Sequence, residues 1–251
     1  MIRLIGKVLI ENGNVLNSYT YNGRRPCGSA YHAIKRLQEW QIDEILILNR
    51  SHGVELSRTW EKFFEGHGLG ILNTPIAYGG GLDFADKTEI QSLAKLGIER
   101  FVVRFKTFAS FDSIGKVSKV TGENSGILHV PFVKNGNDFY AFNGSPSFKL
   151  SSVATRLQGW GGEVVLTDVE NEGSRFGVSS NLIDASRIFT GINVAISGGI
   201  AASNDISSVI DGNPEVGGIV LGNVLNRREL VLEDIRMEKS LIGKIRKPQP
   251  S

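Results

Sequence analysis

The chain repeats itself. Ile76-Ala77-Tyr78-Gly79-Gly80-Gly81-Leu82 is echoed by Val194-Ala195-Ile196-Ser197-Gly198-Gly199-Ile200, 118 residues later. The same spacing brings Arg100-Phe101-Val102-Val103 onto Gly218-Ile219-Val220-Leu221. A spacing of 119 brings Glu44-Ile45-Leu46-Ile47-Leu48 onto Glu163-Val164-Val165-Leu166-Thr167. Matched segments at nearly one offset indicate two homologous halves of one fold. Each half contains an apolar strand that ends in a glycine turn, which can bring backbone N–H groups against a phosphate. Two such turns suit a ligand with a phosphate at each end.

Short apolar runs alternate with amphipathic stretches. The predicted strands are Leu4–Ile10, Glu44–Leu48, Pro75–Tyr78, Phe101–Phe105, Gly126–Val130, Glu163–Thr167, Asn193–Ile196 and Gly218–Leu221. Runs of Val, Ile and Leu without strict alternation suit parallel strands buried on both faces. Between them, Ala30, Ile34, Leu37 and Trp40 form one helical stripe, and Ile90, Leu93 and Leu96 another. Asp86 and Asp205 fall at or near helix N-caps after the two glycine turns. Eight such β runs with helical connections predict a single α/β domain over residues 1–251, a (β/α)₈ TIM barrel built from two half-barrels, with residues 244–251 as a loose basic tail. The length of 251 residues fits that fold. Turn signals at Glu11-Asn12-Gly13-Asn14 and Asn135-Gly136-Asn137-Asp138 predict hairpins after strands one and five, with Val15–Tyr21 and Phe139–Phe142 returning.

Composition narrows the class. A net charge of +2 gives no support to nucleic-acid binding, and no apolar run approaches a membrane span. The lone Cys27 excludes an intrachain disulfide framework, and the start has no signal-peptide layout. The expectation is a cytoplasmic enzyme or enzyme subunit. His32, His52, His67 and His129 show no metal-ligand spacing, so neither a metal nor another cofactor is expected.

The candidate phosphate ligands are Gly80 and Gly81 after strand three, and Gly198 and Gly199 after strand seven. Gly222 and Asn223 after strand eight would complete the second site, where this fold often holds phosphate. Arg104 and Lys106 after strand four could complete the first, or could be solvated rim residues. After strand six, Asp168-Val169-Glu170-Asn171-Glu172 places three carboxylates at a strand's C-terminal end. Glu170 and Glu172 are the candidate acid–base groups, and a solvated loop is the competing reading.

These residues resemble the cyclase subunit, HisF, of imidazole glycerol phosphate synthase. The resemblance rests on Arg3-Leu4-Ile5 with Asn12-Gly13-Asn14-Val15, on Asp43 to Leu48, on Tyr78 to Leu82, on Glu163 to Thr167 with Glu172-Gly173-Ser174, and on Ile196 to Ile200. It spans nearly the whole chain and implies a two-phosphate half-barrel repeat. It also implies a glutaminase partner (HisH-like) in a heterodimer, whose ammonia passes along the barrel interior to a phosphorylated intermediate. The family's two acid–base aspartates fall on Leu9 and on or beside Phe132, which carry no ionisable group. Its Asn-Thr phosphate contact after strand four is replaced by Arg104-Phe105. Its ring of four charges, the ammonia gate, matches Arg3, Glu44, Arg100 and Glu163. A plain salt-bridge layer is the alternative reading of that ring.

A kept gate without the aspartate pair resembles a divergent, HisF-like branch associated with surface-polysaccharide synthesis. That branch works with a glutaminase and an ATP-dependent sugar amidotransferase to make an acetamidino group on a nucleotide-linked sugar. Two other readings stand beside it: a true histidine-pathway cyclase using rearranged acids such as Glu170 and Glu172, and a non-catalytic scaffold that activates a glutaminase.

Overall fold

The structure is a computed structural model, and it describes every residue except 22, 52–72, 227–229 and 249–251. Two of the four histidines, His52 and His67, lie outside the described residues. The chain runs β1 (Arg3–Glu11), β2 (Asn14–Tyr19), β3 (Gly23–Ser29), α1 (Ala30–Glu39), β4 (Glu44–Asn49), β5 (Ile76–Gly79), α2 (Lys87–Lys95), β6 (Arg100–Arg104) and α3 (Ser110–Thr121). It continues through β7 (Gly126–Asn135), β8 (Asp138–Phe142), β9 (Pro146–Lys149), α4 (Leu150–Arg156), β10 (Glu163–Asp168), α5 (Ser180–Arg187) and β11 (Asn193–Ser197). It ends with α6 (Ser203–Gly212), β12 (Val216–Leu221), α7 (Asn223–Asn226) and α8 (Leu232–Met237).

Eight of these strands pair in parallel and close on themselves. The circuit is β1-β4-β5-β6-β7-β10-β11-β12, with β12 returning to β1 through Arg3↔Gly218 and Leu4↔Ile219. This is the (β/α)₈ barrel expected from the sequence, and each of its strands overlaps a predicted run. Closure removes the unpaired edges that an open sheet would leave.

Both predicted hairpins form, as β1–β2 and β7–β8. Each carries a further antiparallel strand that the sequence reading did not anticipate, β3 and β9. Every residue of β3 is exposed, so Gly23-Arg24-Arg25-Pro26-Cys27-Gly28-Ser29 offers no hydrophobic alternation to mark it as a strand.

The helices dock as their stripes require. Ala30, Ala33, Ile34 and Leu37 of α1 are buried, and Ser29 caps it by accepting the His32 N–H. Asp86 and Glu89 form a capping box at the start of α2, which satisfies two orphan donors reciprocally. Asp205 lies one turn inside α6 rather than at its cap. Its carboxylate accepts the Ala201 and Ala202 N–H groups at 2.8 and 2.9 Å, so it does a cap's work from the third helical position. The segment expected to trail from Lys244 is docked as far as Arg246. Ile2 donates to Lys244 O at 2.8 Å, Arg246 donates to Ile2 O at 2.9 Å, and Ile245 is buried.

Apolar side chains divide into two cores. The larger lies between strands and helices and includes Leu4, Val8, Ile45, Phe101, Leu128 and Leu166. The smaller fills the barrel interior with one residue from each strand: Ile5, Leu46, Ala77, Val102, Ile127, Val165, Ala195 and Val220. This collar separates the two ends of the barrel, and each end carries polar chemistry. Ala77 and Ala195 occupy equivalent places in the two halves.

Candidate functional site

At the N-terminal end, Arg3, Glu44, Arg100 and Glu163 close into a ring. Arg3 donates to Glu44 Oε2 at 2.8 Å and also to Glu163 Oε1. Arg100 Nη1 donates to Glu44 Oε1 at 3.1 Å and to Glu163 Oε2 at 2.7 Å. Each base therefore touches both acids. The two glutamates are buried. Burial raises the Glu44 pKa, against the opposing pull of Arg100 and Arg3. At Arg100 burial acts to lower the pKa, but the two carboxylates outweigh it and the net shift is upward.

At the other end, the two glycine turns adopt one conformation. Gly80 and Gly81 have φ of 141° and 74°, and Gly198 and Gly199 have 118° and 80°. A Cβ on Gly80 would drive into the Asn49 carbonyl oxygen, and one on Gly198 would lie 2.9 Å from the Asp168 carbonyl oxygen. Asn49 ends β4 and Asp168 ends β10, the equivalent strands of the two halves. Only glycine combines this positive φ with so close a backbone approach.

The two turns open into unequal spaces. The first cavity is about 310 Å³ and is lined by Gly80, Gly81, Asn49, Arg24, Arg50, Arg104, Lys106 and His129, among others. The second is about 30 Å³ and is lined by Gly198, Gly199, Gly222, Asn223 and Arg175, among others. Lys7 and Glu172 line both. Lys7 Nζ lies 2.7 Å from Glu172 Oε1, which also accepts the Ser18 hydroxyl at 2.5 Å. Burial acts to raise the Glu172 pKa, but the Lys7 ammonium and the hydrogen bonds from Lys7, Ser18 and the Tyr21 backbone outweigh it. The carboxyl is therefore held below its usual range. Glu172 Oε2 is buried and has no hydrogen-bond partner among the described residues.

The β1–β2 excursion packs over the second space. Asn223 donates to the Ser18 carbonyl at 2.6 Å, Asn226 donates to Asn17 Oδ1 at 2.9 Å, and Thr20 N donates to the Glu172 carbonyl at 2.8 Å. Thr20 and Tyr21 follow with φ of 47° and 63°, a conformation costly for a β-branched threonine. That turn aims Tyr21 into the first cavity, where its hydroxyl lies 3.2 Å from His129 Nε2. His129 Nε2 also meets Thr167 Oγ1 at 3.0 Å. Burial, reinforced by Arg104 and Lys7, lowers the His129 pKa to about 3, so the ring is neutral at ordinary pH. Burial also raises the Tyr21 phenol pKa, so it keeps its proton.

The candidates from the sequence are distributed unevenly. Gly80, Gly81 and Arg104 converge on the first cavity, with Lys106 held by Asp83 at 2.5 Å. Phe105 turns away from it into an aromatic cluster with Phe108, Phe111 and Phe148. Glu172 reaches the centre of the mouth. Glu170 does not: it is exposed and lines neither cavity. Leu9 lines the first cavity. Phe132 faces outward, in the larger core and against Phe139. The inward row of β7 runs Ile127, His129, Pro131, so the residue beside Phe132 that takes the inward place is Pro131. Proline carries no proton either.

Lys7, Ser18, Tyr21, Arg24 and Arg50 were missed as site residues. Lys7 had a legible signal: it shares the inward row with Arg3, Ile5 and Leu9, and a lysine in such a row demands a partner. Among the described residues, no cluster of His, Cys, Asp and Glu could hold a metal ion. No described helix is long and apolar enough to cross a membrane.

Comparison with known proteins agrees with this geometry. The family model described as "Histidine biosynthesis protein" matches residues 6–230. The chain belongs to that histidine biosynthesis family. Among its relatives, a putative imidazole glycerol phosphate synthase subunit hisF2 of Vibrio vulnificus is 23% identical over 82% of this chain and 76% of its own length. The HisF subunit of the same synthase in Prochlorococcus marinus is 23% identical over 96% of each chain. A putative HisF of Leptospira interrogans is 19% identical over 88% of this chain and 89% of its own. Within the histidine biosynthesis family, the likeness is thus to HisF subunits, at low identity and nearly full length.

Proposed function

We propose that this chain is a HisF-like synthase subunit that receives ammonia from a glutaminase at its N-terminal face. It supports amidation of a nucleotide-linked sugar and does not perform the cyclase reaction. One observation carries the reading. The inward places at the tops of β1 and β7 hold Leu9 and Pro131, while the four-residue ring is complete. General acid–base work needs groups that exchange protons at the reacting atoms, and neither residue can. The ring has no such vacancy. Two guanidiniums and two carboxylates offer an arriving ammonium both an attractive site and a proton acceptor, ahead of an apolar collar that favours neutral ammonia.

Two carboxylates among the described residues line the first cavity: Asp83, bound to Lys106, and the buried Glu172. Paired to Lys7 and held ionised, Glu172 is an acceptor in this reading, for a substrate hydroxyl or for ammonia. A histidine-pathway cyclase would have to use it as the base with the Lys7 ammonium or the Tyr21 phenol as the acid, in place of the family's aspartate pair.

Two measurements test the proposal. The purified chain, given an ammonium salt and the phosphorylated ribulosyl aminoimidazole intermediate, is expected to form no imidazole product, and robust turnover overturns the reading. Deleting the gene is expected to leave growth without histidine intact and to remove acetamidino groups from the surface polysaccharide. Histidine auxotrophy with an unchanged polysaccharide would favour the cyclase instead.

A further inference from the structure

The two halves share a backbone, yet the mouth is not symmetric. The second turn faces a space of about 30 Å³, room on the order of two waters. Asn223, which would complete that site, spends its amide on the Ser18 carbonyl. The Lys7–Glu172–Ser18 link stands between this space and the first cavity. A ligand with a phosphate at each end would have to cross that link and then find no room.

The first cavity is roomy and cationic. Arg24 enters from β3, Arg50 from the end of β4 and Arg104 from the end of β6. Among the described residues, Arg24 and Arg50 share one carboxylate, Glu11, at 3.4 and 4.0 Å. Nε of Arg50 and Nε of Arg104 are buried without a hydrogen-bond partner among the described residues. Neighbouring guanidiniums crowd one another here: after burial, Arg24 is the largest influence lowering the Arg50 pKa. Among the described residues, the carboxylates nearest these guanidiniums are Glu11, shared by two of them, and Asp83 and Glu172, each already paired to a lysine, so the guanidinium forks fit phosphate oxygens. Between Arg50 and Arg104, at the end of the intervening strand β5, Gly80 and Gly81 offer backbone N–H groups beside Lys106. Anion donors thus come from the ends of three adjacent strands and from β3, and all line one cavity. Next to the lining residue Asp83, Phe84 is 86% exposed, with the Lys106 ammonium 5.7 Å from its ring centre.

We infer that this chain binds its ligand at one end only, with two adjacent phosphates of a diphosphate group held in the first cavity by the Gly80–Gly81 turn and by Arg24, Arg50 and Arg104 around it. The second glycine turn is structural. The inference deepens the nucleotide-sugar reading above and rests on it for the ligand's identity, but not for the diphosphate itself.

The test is calorimetric binding to the isolated full-length chain, without glutaminase, so that ammonia transfer plays no part. The probes are inorganic phosphate, inorganic pyrophosphate, fructose 1,6-bisphosphate and a set of nucleoside diphosphates. Pyrophosphate is expected to bind at least about tenfold more tightly than phosphate or the bisphosphate. Arg104→Gln is expected to weaken it by about tenfold or more, and Asn223→Ala by less than about twofold. Arg50→Gln serves if Arg104→Gln does not fold by circular dichroism. A nucleoside diphosphate that binds more tightly than pyrophosphate, with the gain lost in Phe84→Ala, identifies a nucleotide as the source. Equal binding identifies a non-nucleotide diphosphate. The inference is overturned if the bisphosphate binds as tightly as pyrophosphate, or if Asn223→Ala costs as much as Arg104→Gln. Either failure leaves the ammonia reading to its own assays.

Discussion

Lys7 and Glu172 join across the barrel mouth at 2.7 Å, from β1 to the loop after β10, although 165 residues separate them in sequence. This pair divides the mouth into a large and a small compartment, and it keeps a buried carboxylate ionised.

Breaking the pair on one side leaves that carboxylate exposed to its burial cost. Lys7→Met is expected to destabilise the fold by about 3–5 kcal/mol, because the partner is left as an uncompensated buried charge. Adding Glu172→Gln is expected to recover most of the loss. Urea denaturation of the two variants and the parent checks both signs.

Protonation supplies a second expectation. The Glu172 pKa is lowered in the fold, so its contribution is complete above the unfolded glutamate value of 4.5 and is lost as pH falls through the folded value. His129 acts earlier. Its folded pKa is about 3 against 6.5 unfolded, so the unfolded chain gains a proton first as the medium is acidified. Stability is expected to fall between pH 6.5 and 3 with a His129 contribution of up to about 1.4 kcal/mol per pH unit. His129→Gln is expected to flatten that window, read from unfolding midpoints in a series of buffers.

At the opposite end, Arg3→Ala leaves Arg100 facing both glutamates alone. The expected cost is on the order of 3–5 kcal/mol, together with poorer transfer of glutamine-derived nitrogen in the assembled synthase. Unchanged stability with unchanged transfer of ¹⁵N from labelled glutamine would remove the ring from the mechanism.

The glycine turns give a steric contrast. Gly80→Ala meets the Asn49 carbonyl and is expected to abolish folding or to cost more than about 3 kcal/mol. Gly97→Ala, at a φ of 92° with nothing near the new methyl, is expected to cost only about 1–2 kcal/mol for backbone strain. Soluble yield and melting temperature distinguish the two.

Where a function needs only local chemistry, these residues were readable in order. The barrel strands, both hairpins, Asp86 as a cap and the two glycine turns each rest on neighbours within a few positions. The mouth was harder to read because its partners are distant in sequence. Lys7 stands alone in the apolar run of β1, and nothing near it in sequence says which carboxylate it faces. Glu170 and Glu172 were indistinguishable in the carboxylate cluster, since two residues along a loop decide which faces solvent. Tyr21 and Arg24 could not be placed without knowing that the excursion after β1 folds back over the barrel. Phe132 and Pro131 differ by one register step, which in a strand reverses the face.

The collar of eight apolar side chains has a consequence for how the two ends communicate. Protons hop only along donors and acceptors, and no side chain of this layer supplies one. No side-chain relay therefore runs through this layer from the ring to the mouth. On the ammonia route proposed above, a neutral molecule would cross this layer at far lower cost than an ion, so the same side chains that admit ammonia would hold back protons.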